Sequence, residues 1–154
     1  MKRAYLDTVA LVERLHRHFL EVVKSEIDRL SIRDINNVQA LILYNIGSEE
    51  MTVGELTQRG YYLGSNVSYN LKKLIECAYI AQARSQHDRR SVRIKLTERG
   101  LALHKKLDAI FETHARSIEG SMALPDLNDA CEALRQLERF WDDQRLGLSN
   151  SAAA

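Results

Sequence analysis

A helix followed at once by two short strands, between residues 63 and 100, constrains the fold of this chain more than any other part of its sequence. Residues 65–76 predict the helix, because their apolar side chains recur at the spacing of one helical face. These side chains are Val67, Leu71, Leu74 and Ile75. Residues 79–84 and 92–96 predict the strands, and the second alternates apolar with basic side chains as a half-buried strand does. The predicted fold class is mainly α with a small β-hairpin.

The other side of this motif carries the chemistry expected of a DNA-binding surface. Short polar side chains near the start of a helix allow close approach to base edges in the major groove. Basic side chains further along the helix can contact phosphate, and the charged segment 85–91 can reach the DNA backbone or the minor groove. The residues predicted to contact DNA are Ser65, Asn66, Ser68, Tyr69, Lys72, Lys73, His87, Asp88, Arg89 and Arg90.

Two hairpin residues in this set need a separate interpretation. The carboxylate of Asp88 repels phosphate, so its predicted role is to pair with an arginine and hold the hairpin tip in shape. His87 can touch phosphate, but a solvated loop residue is an equal alternative. Arg89 and Arg90 are therefore the main predicted DNA contacts of the hairpin.

The hairpin also carries a family pattern. The run from Asp88 to Gly100 resembles the wing and following helix start of the MarR family of bacterial winged helix-turn-helix regulators, with an Asp-x-Arg tip and a strand ending in Leu-Thr-x-x-Gly. The order and spacing of the predicted helices are similar to that family from about Tyr5 to about Arg145. Two departures stand out: residues 85–87 replace an earlier Asp-x-Arg, and Ala78 replaces the usual glycine after the recognition helix.

The net charge of +1 conceals an uneven distribution along the chain. Residues 52–100 carry nine Lys or Arg and four Asp or Glu, a net charge of +5. Residues 1–51 have a net charge of −1 and residues 101–154 one of −3. A solvated charged face is the alternative for any one cluster, but the coincidence with the predicted helix and hairpin favours phosphate binding.

Capping signals place the shorter helices. Ser31 or Asp34 is the predicted N-cap of a helix over residues 35–46. Thr52 and Glu55 form a capping-box pattern that starts a short helix directly after Thr52. Two short helices with a tight join, the second of them polar-faced, indicate a helix-turn-helix.

Long apolar-striped helices are predicted at both ends of the chain. The first covers residues 5–30, a later one is capped by Thr97, and the last follows a break at Pro125 with Asp126 as its cap. The stripe of the first helix fits an ordinary core face or a seam against a second subunit. Because a small monomer cannot cover so much apolar surface, the sequence favours a two-fold dimer, and the resemblance implies the same arrangement.

The predicted organisation is therefore a single chain with three structural parts. A winged helix-turn-helix DNA-binding lobe occupies residues 32–100. Dimerisation helices cover residues 1–31 and 101–146, and a disordered tail is expected over residues 147–154.

Composition narrows the function classes further. No apolar run reaches the ~20 residues that a membrane span needs, and the N-terminus leads into an amphipathic pattern, so a cytoplasmic protein is expected. Cys77 and Cys131 are too few for a disulfide framework or a zinc site. Cys77 could sense oxidants, but a small buried hydrophobe is the favoured interpretation. The five histidines are scattered without a catalytic or metal-binding spacing, so no enzyme activity, metal or cofactor is predicted.

Regulation is the least defined part of the prediction. The resemblance implies a small aromatic or amphipathic effector that enters a cleft between the dimer helices and the winged lobe and releases DNA. By position the cleft residues would be Phe19, Leu41, Tyr44, Leu63 and Phe111, although core packing is the stronger interpretation of each one alone. Repression by blocking polymerase is favoured over activation. The alternatives are a protein-interaction module and an architectural DNA-binding protein without a ligand.

Overall fold

The computed structural model describes residues 1–59, 64–84 and 92–151 of the chain. The chain divides into two compact units, residues 1–110 and the residues from 111 onward. No helix within the described residues combines the length and the apolarity that crossing a membrane requires.

The elements follow the predicted order, with one addition. The helices are α1 (Lys2–Arg29), α2 (Asn37–Ile46), α3 (Val53–Gln58), α4 (Gly64–Glu76), α5 (Glu98–Ile118) and α6 (Leu124–Ser151). The strands are β1 (Met51–Thr52), β2 (Ile80–Arg84) and β3 (Val92–Leu96). The sequence predicts β2 and β3 to within one residue. It does not predict β1, because two residues carry no periodicity.

The three strands form one antiparallel sheet in the order β1-β3-β2. Ile80 lies opposite Leu96 across β2 and β3, and Met51 lies opposite Ile94 across β1 and β3. These four side chains are buried and face helices α2, α3 and α4, which pack against the sheet. The sheet therefore anchors the base of the wing in the core of the lobe.

Helix α3 begins as its sequence pattern predicts. The Thr52 hydroxyl accepts a hydrogen bond from the Glu55 N–H at 3.1 Å, and the Glu55 carboxylate accepts one from the Thr52 N–H at 2.6 Å. This capping box is confirmed, and the Thr52 backbone N–H holds the pKa of Glu55 below its ordinary value. Because Thr52 also ends β1, one residue joins the sheet to α3.

Helix α2 begins later than predicted, at Asn37. Its N-cap is Asn36, whose side chain accepts from the Gln39 N–H at 2.9 Å while the Gln39 side chain accepts from the Asn36 N–H at 2.9 Å. The prediction that Ser31 or Asp34 caps this helix is therefore wrong. Asparagine competes equally for the cap position, and a glutamine three residues later completes a capping box.

Helix α6, in contrast, begins earlier than predicted, at Leu124. Asp126 lies in its first turn and is not its cap, and Pro125 is accommodated there because the first N–H groups of a helix have no intrahelical partner. The helix continues to Ser151, so it extends into the segment from residue 147 for which the sequence predicts a disordered tail.

The turn after α4 closes without a glycine. Ala78 has a φ of 59°, the Ala78 N–H donates to the Ile75 carbonyl at 2.9 Å, and the Tyr79 N–H donates to the Leu74 carbonyl at 2.9 Å. These two bonds form a Schellman motif, whose left-handed position is usually glycine. The turn is therefore as tight as a glycine turn, and Ala78 carries the steric cost of a left-handed conformation.

Replacing Ala78 by glycine should make the protein more stable. We expect Ala78→Gly to raise the free energy of unfolding by about 0.5–1 kcal/mol, because the relief of the left-handed strain exceeds the entropy that glycine gains in the unfolded chain. Urea titration measures the change. Ala102→Gly, at an exposed position inside α5, is the matched control and should lower the value by about 1 kcal/mol. A loss of stability in Ala78→Gly would contradict this account.

Candidate nucleic-acid interface

Helix α4 separates its side chains into a buried and an exposed face. Val67, Leu71 and Leu74 are at most 4 % exposed and fix the helix on the lobe. The predicted DNA contacts point away from that core: Asn66, Ser68, Tyr69 and Lys72 are exposed, and Lys73 is half-buried. Tyr69 is 69 % exposed, far more than a tyrosine needs for its hydroxyl to reach water. The described part of α4 thus offers donors and acceptors next to a cation.

Part of the predicted DNA-contact set cannot be placed. The side chain of Ser65 and the hairpin residues His87, Asp88, Arg89 and Arg90 lie outside the described residues. Strands β2 and β3 define the two sides of the wing, since Arg84 lies opposite Val92 in the register. The wing contacts therefore remain predictions from the sequence.

Three arginines of the basic stretch are paired with carboxylates that precede it in the chain. The side-chain nitrogens lie 2.7–3.0 Å from the carboxylate oxygens in these pairs, which are Arg93 with Glu50, Arg59 with Glu49, and Arg99 with Asp34. All of these side chains are more than a third exposed, so each pair adds little stability. Their larger effect is electrostatic, because they neutralise cations that the charge count assigns to phosphate binding.

A chain of buried amide groups connects α2 to α4. The Gln39 side-chain NH₂ donates to the Asn70 side-chain oxygen at 3.1 Å, and the Asn70 NH₂ donates to the Asn66 backbone carbonyl at 2.8 Å. Gln39 and Asn70 are 4 % and 8 % exposed. We call Asn36, Gln39, Asn70 and Asn66 the amide relay. Only its Asn36–Gln39 end, a capping-box pattern, could have been found in the sequence.

A second cluster holds the end of α4 to the start of α5. The Asp34 carboxylate accepts from the Tyr79 hydroxyl at 3.1 Å and from the Arg99 guanidinium at 2.7 Å. Arg99 also stacks 4.2 Å from the Tyr79 ring centroid and donates to the Cys77 carbonyl. Burial and then the Asp34 carboxylate raise the pKa of Tyr79. Asp34, which the sequence suggests as a helix cap, instead fixes this turn.

Three of the five residues predicted to line the effector cleft lie in the first unit and are described. Tyr44 stacks on His104 with 4.9 Å between ring centroids, and its hydroxyl donates to Asp108 at 3.0 Å. Burial and the Asp108 carboxylate raise the pKa of Tyr44. Phe19 is 43 % exposed on α1, and Leu41 is half-buried on α2.

The other two residues predicted for the cleft are Leu63 and Phe111. Leu63 lies outside the described residues, and Phe111 belongs to the second unit, where its ring lies 6.3 Å from that of His114. The effector site remains a prediction from the sequence.

Comparison with known proteins agrees with this geometry. A model of the winged helix DNA-binding domain matches residues 35–100. The exopolysaccharide II synthesis transcriptional activator ExpG of Rhizobium meliloti (strain 1021) is 38% identical over 138 residues, which cover 89% of this chain and 71% of that protein.

The solved structures that share the fold include the following two. FabT of Streptococcus pneumoniae in complex with DNA has a TM-score of 0.73 at 20% identity, over 90% of this chain and 98% of that chain. A MarR transcriptional regulator from Methanosarcina mazei Go1 has a TM-score of 0.71 at 19% identity, over 86% and 94% of the two chains. ExpG is named a transcriptional activator and the Methanosarcina mazei protein a transcriptional regulator, and neither name is that of an enzyme. The chain belongs to the MarR family of winged helix-turn-helix proteins, and it is a DNA-binding transcriptional regulator.

Proposed function

We propose that the protein acts as a homodimer on a pseudo-palindromic duplex site, with the exposed face of α4 in the major groove. The observation that carries this proposal is the separation of faces on α4. Asn66, Ser68, Tyr69 and Lys72 are exposed on a helix whose other side is fixed in the core. Hydrogen-bonding groups on a rigid helix are suited to reading base edges, and Lys72 is suited to a phosphate.

The dimer is supported by apolar surface that the single chain leaves in water. On α1 the exposed apolar side chains include Leu6, Leu11, Leu15, Phe19 and Val22, each 40–53 % exposed. From α5 onward they include Leu101, Ile118, Met122, Leu124, Leu127, Leu134 and Phe140, each 38–69 % exposed. A second copy is the occupant we infer, because self-complementary two-fold packing covers such stripes on both chains at once.

Two copies related by a two-fold axis would read two half-sites. If their α4 helices enter successive major grooves, the half-sites lie about one helical turn apart, ~34 Å from centre to centre. Selection from random duplexes at moderate salt tests this directly. One enriched pseudo-palindrome would support the proposal. Binding without enrichment would favour the architectural alternative, and no recovered DNA would favour a protein-interaction module.

The direction of regulation has two candidates. A dimer bound over a promoter blocks polymerase, which makes repression the first. The 38% identical relative is named an activator, and that observation supports activation as the second. A reporter gene carrying the selected site at two positions separates them, since a repressor lowers expression from a promoter-overlapping site and an activator raises it from an upstream site.

We further propose that a small aromatic or amphipathic effector releases the DNA by binding beside Tyr44, one of the residues that the sequence predicts for an effector cleft. The support is the half-buried Tyr44 beside His104 and Asp108, which offers an aromatic face next to polar groups. Screening aromatic acids and amines for thermal shift and for release of the selected duplex tests the idea. A broad screen without either effect would count against it.

Removing the exposed cation of α4 should weaken DNA binding in a salt-dependent way. We expect Lys72→Ala to flatten the slope of log affinity against log salt by about two units, because a dimer loses two phosphate contacts. Fluorescence anisotropy between 50 and 200 mM salt, about the range in which such contacts matter, measures the slope. Lys105→Ala, at an exposed position on α5, is the control and should leave it unchanged. Equal slopes for Lys72→Ala and wild type would place α4 away from the phosphates.

A further inference from the structure

The groups at the two ends of the amide relay determine how each side-chain amide in it is oriented. At one end the Gln39 side-chain oxygen must accept from the Asn36 backbone N–H, so its NH₂ group faces Asn70. Asn70 must then present its oxygen to Gln39, which turns its own NH₂ group toward the Asn66 carbonyl. Only this orientation of both amides pairs every group, because a backbone N–H only donates and a carbonyl only accepts.

The relay fixes α4 in a way that the neighbouring apolar contacts cannot. Val67 and Leu74 are fully buried on the same face of α4, and they hold the helix against the lobe. Apolar packing is non-directional, so it tolerates small shifts along or around the helix axis. A buried amide pair tolerates them poorly, because a broken bond leaves a donor and an acceptor without partners.

A hydrogen bond next to the relay connects α2 to the first helix of the chain. The side chain of Asn37, beside the capping residue of α2, donates to the Leu20 carbonyl of α1 at 2.8 Å. The start of α2 is thereby tied to α1 on one side and, through Gln39 and Asn70, to the first turn of α4 on the other. The relay ends at the backbone of Asn66, which is one of the predicted base contacts.

We propose that Gln39 and Asn70 are positioning residues that set how well this regulator distinguishes its operator from other DNA, although neither is expected to touch DNA. The inference rests on the proposed function, in which the first turns of α4 read base edges. A helix that is displaced relative to the wing keeps its phosphate contacts, which are long and adaptable, and loses base contacts, which need defined geometry. Loss of the relay should therefore lower discrimination more than it lowers attraction to DNA.

Three substitutions test the relay, and each disrupts a different set of its hydrogen bonds. Asn70→Leu removes the bond from Gln39 and the bond to the Asn66 carbonyl within α4, while improving helix propensity. Gln39→Met removes the link to Asn70 and also the half of the α2 capping box that the Gln39 side chain supplies. Gln39→Glu at pH 8 keeps the acceptor for the Asn36 N–H, so the cap survives, but presents an acceptor to the Asn70 oxygen. Leu107→Ala, a buried residue of α5, is the control for a general loss of stability.

The measured quantity is the ratio of affinities for the selected operator and for a scrambled duplex. We expect each relay variant to lower this ratio by about tenfold or more, which corresponds to the loss of one good base contact by the bound dimer, with an unchanged salt slope. Asn70→Leu combined with Gln39→Glu should lose no more than one substitution alone, because both break the same chain. Leu107→Ala should lower the melting temperature and leave the ratio unchanged.

An unchanged ratio in folded relay variants would overturn the proposal. Failure of the proposed function is a separate result, because it requires that the wild-type protein itself shows no preference for any duplex. In that case the positioning role of the relay is tested by amide hydrogen exchange of the free protein. Faster exchange over residues 69–72 in Asn70→Leu than in wild type supports positioning by the relay, and equal exchange overturns it.

Discussion

Gly100→Ala should destabilise the protein by about 3 kcal/mol or more, the largest stability loss that we expect from adding a methyl group at a glycine whose surroundings the structure describes. A Cβ at Gly100 would overlap the backbone carbonyl oxygen of Tyr79 and lie 3.1 Å from the Cβ of Leu96. That carbonyl cannot move aside, because it already accepts from the Thr97 N–H at 3.0 Å and from the Thr97 hydroxyl at 3.2 Å. The added methyl group must therefore push the start of α5 away from the turn that precedes β2.

Thermal unfolding measures this loss, and a fall of roughly 10 °C in the melting temperature is expected for a protein of this size. Gly54→Ala is the matched control. Among the described residues, a Cβ at Gly54 meets only the Thr52 hydroxyl oxygen at 3.8 Å, so alanine there should raise stability by about 0.5 kcal/mol through helix propensity. Similar stabilities for the two variants would show that Gly100 and the Tyr79 carbonyl are not in close contact.

Introducing charge on the apolar stripe of α6 should strongly weaken operator binding by separating the subunits of the proposed dimer. Leu127 and Leu134 are two turns apart on one face and are 38 % and 41 % exposed. We expect Leu127→Glu with Leu134→Glu to give a monomer and to lower operator affinity by about 100-fold or more, because the second half-site is no longer held at high effective concentration. Analytical ultracentrifugation and anisotropy measure the two effects.

The control for this experiment uses the same helix and the same change in charge. Asn128→Glu with Gln136→Glu alters exposed positions on other faces of α6 and should leave both the dimer and the affinity intact. A dimer that survives the leucine substitutions with full affinity would exclude α6 from the interface. A monomer that keeps full affinity would exclude the two-fold model of binding.

The sequence allows the fold to be predicted where local signals are strong. The apolar period of α4, the alternation in β3 and the capping box at Thr52 are all properties of a few neighbouring residues, and each is confirmed. The sequence predicts the wrong cap for α2, because Ser31, Asp34 and Asn36 have similar intrinsic preference for that position. Asn36 is favoured by its capping box with Gln39, and Asp34 is held elsewhere by Tyr79 and Arg99.

The candidate site is less predictable because much of it depends on distant parts of the chain. The exposed residues of α4 follow from its periodicity, and the structure places four of them in water. The amide relay joins residues 31 positions apart, and no local pattern indicates that Gln39 and Asn70 meet. The Leu-Thr-x-x-Gly pattern is visible in the sequence, but the reason for its glycine is the Tyr79 carbonyl, which comes from the turn between α4 and β2.

The three arginine–carboxylate pairs of the basic lobe have a consequence for how the protein finds its site. At distances beyond the Debye length, ~8 Å at physiological ionic strength, a close pair acts as a small dipole and no longer as a charge. Distant DNA is therefore attracted more weakly than it would be by nine uncompensated basic residues. As a result, each encounter with DNA outside the operator is shorter. Short encounters leave less of the protein trapped on the vast excess of other sequences, so under the proposed function recognition would depend on the local contacts of α4.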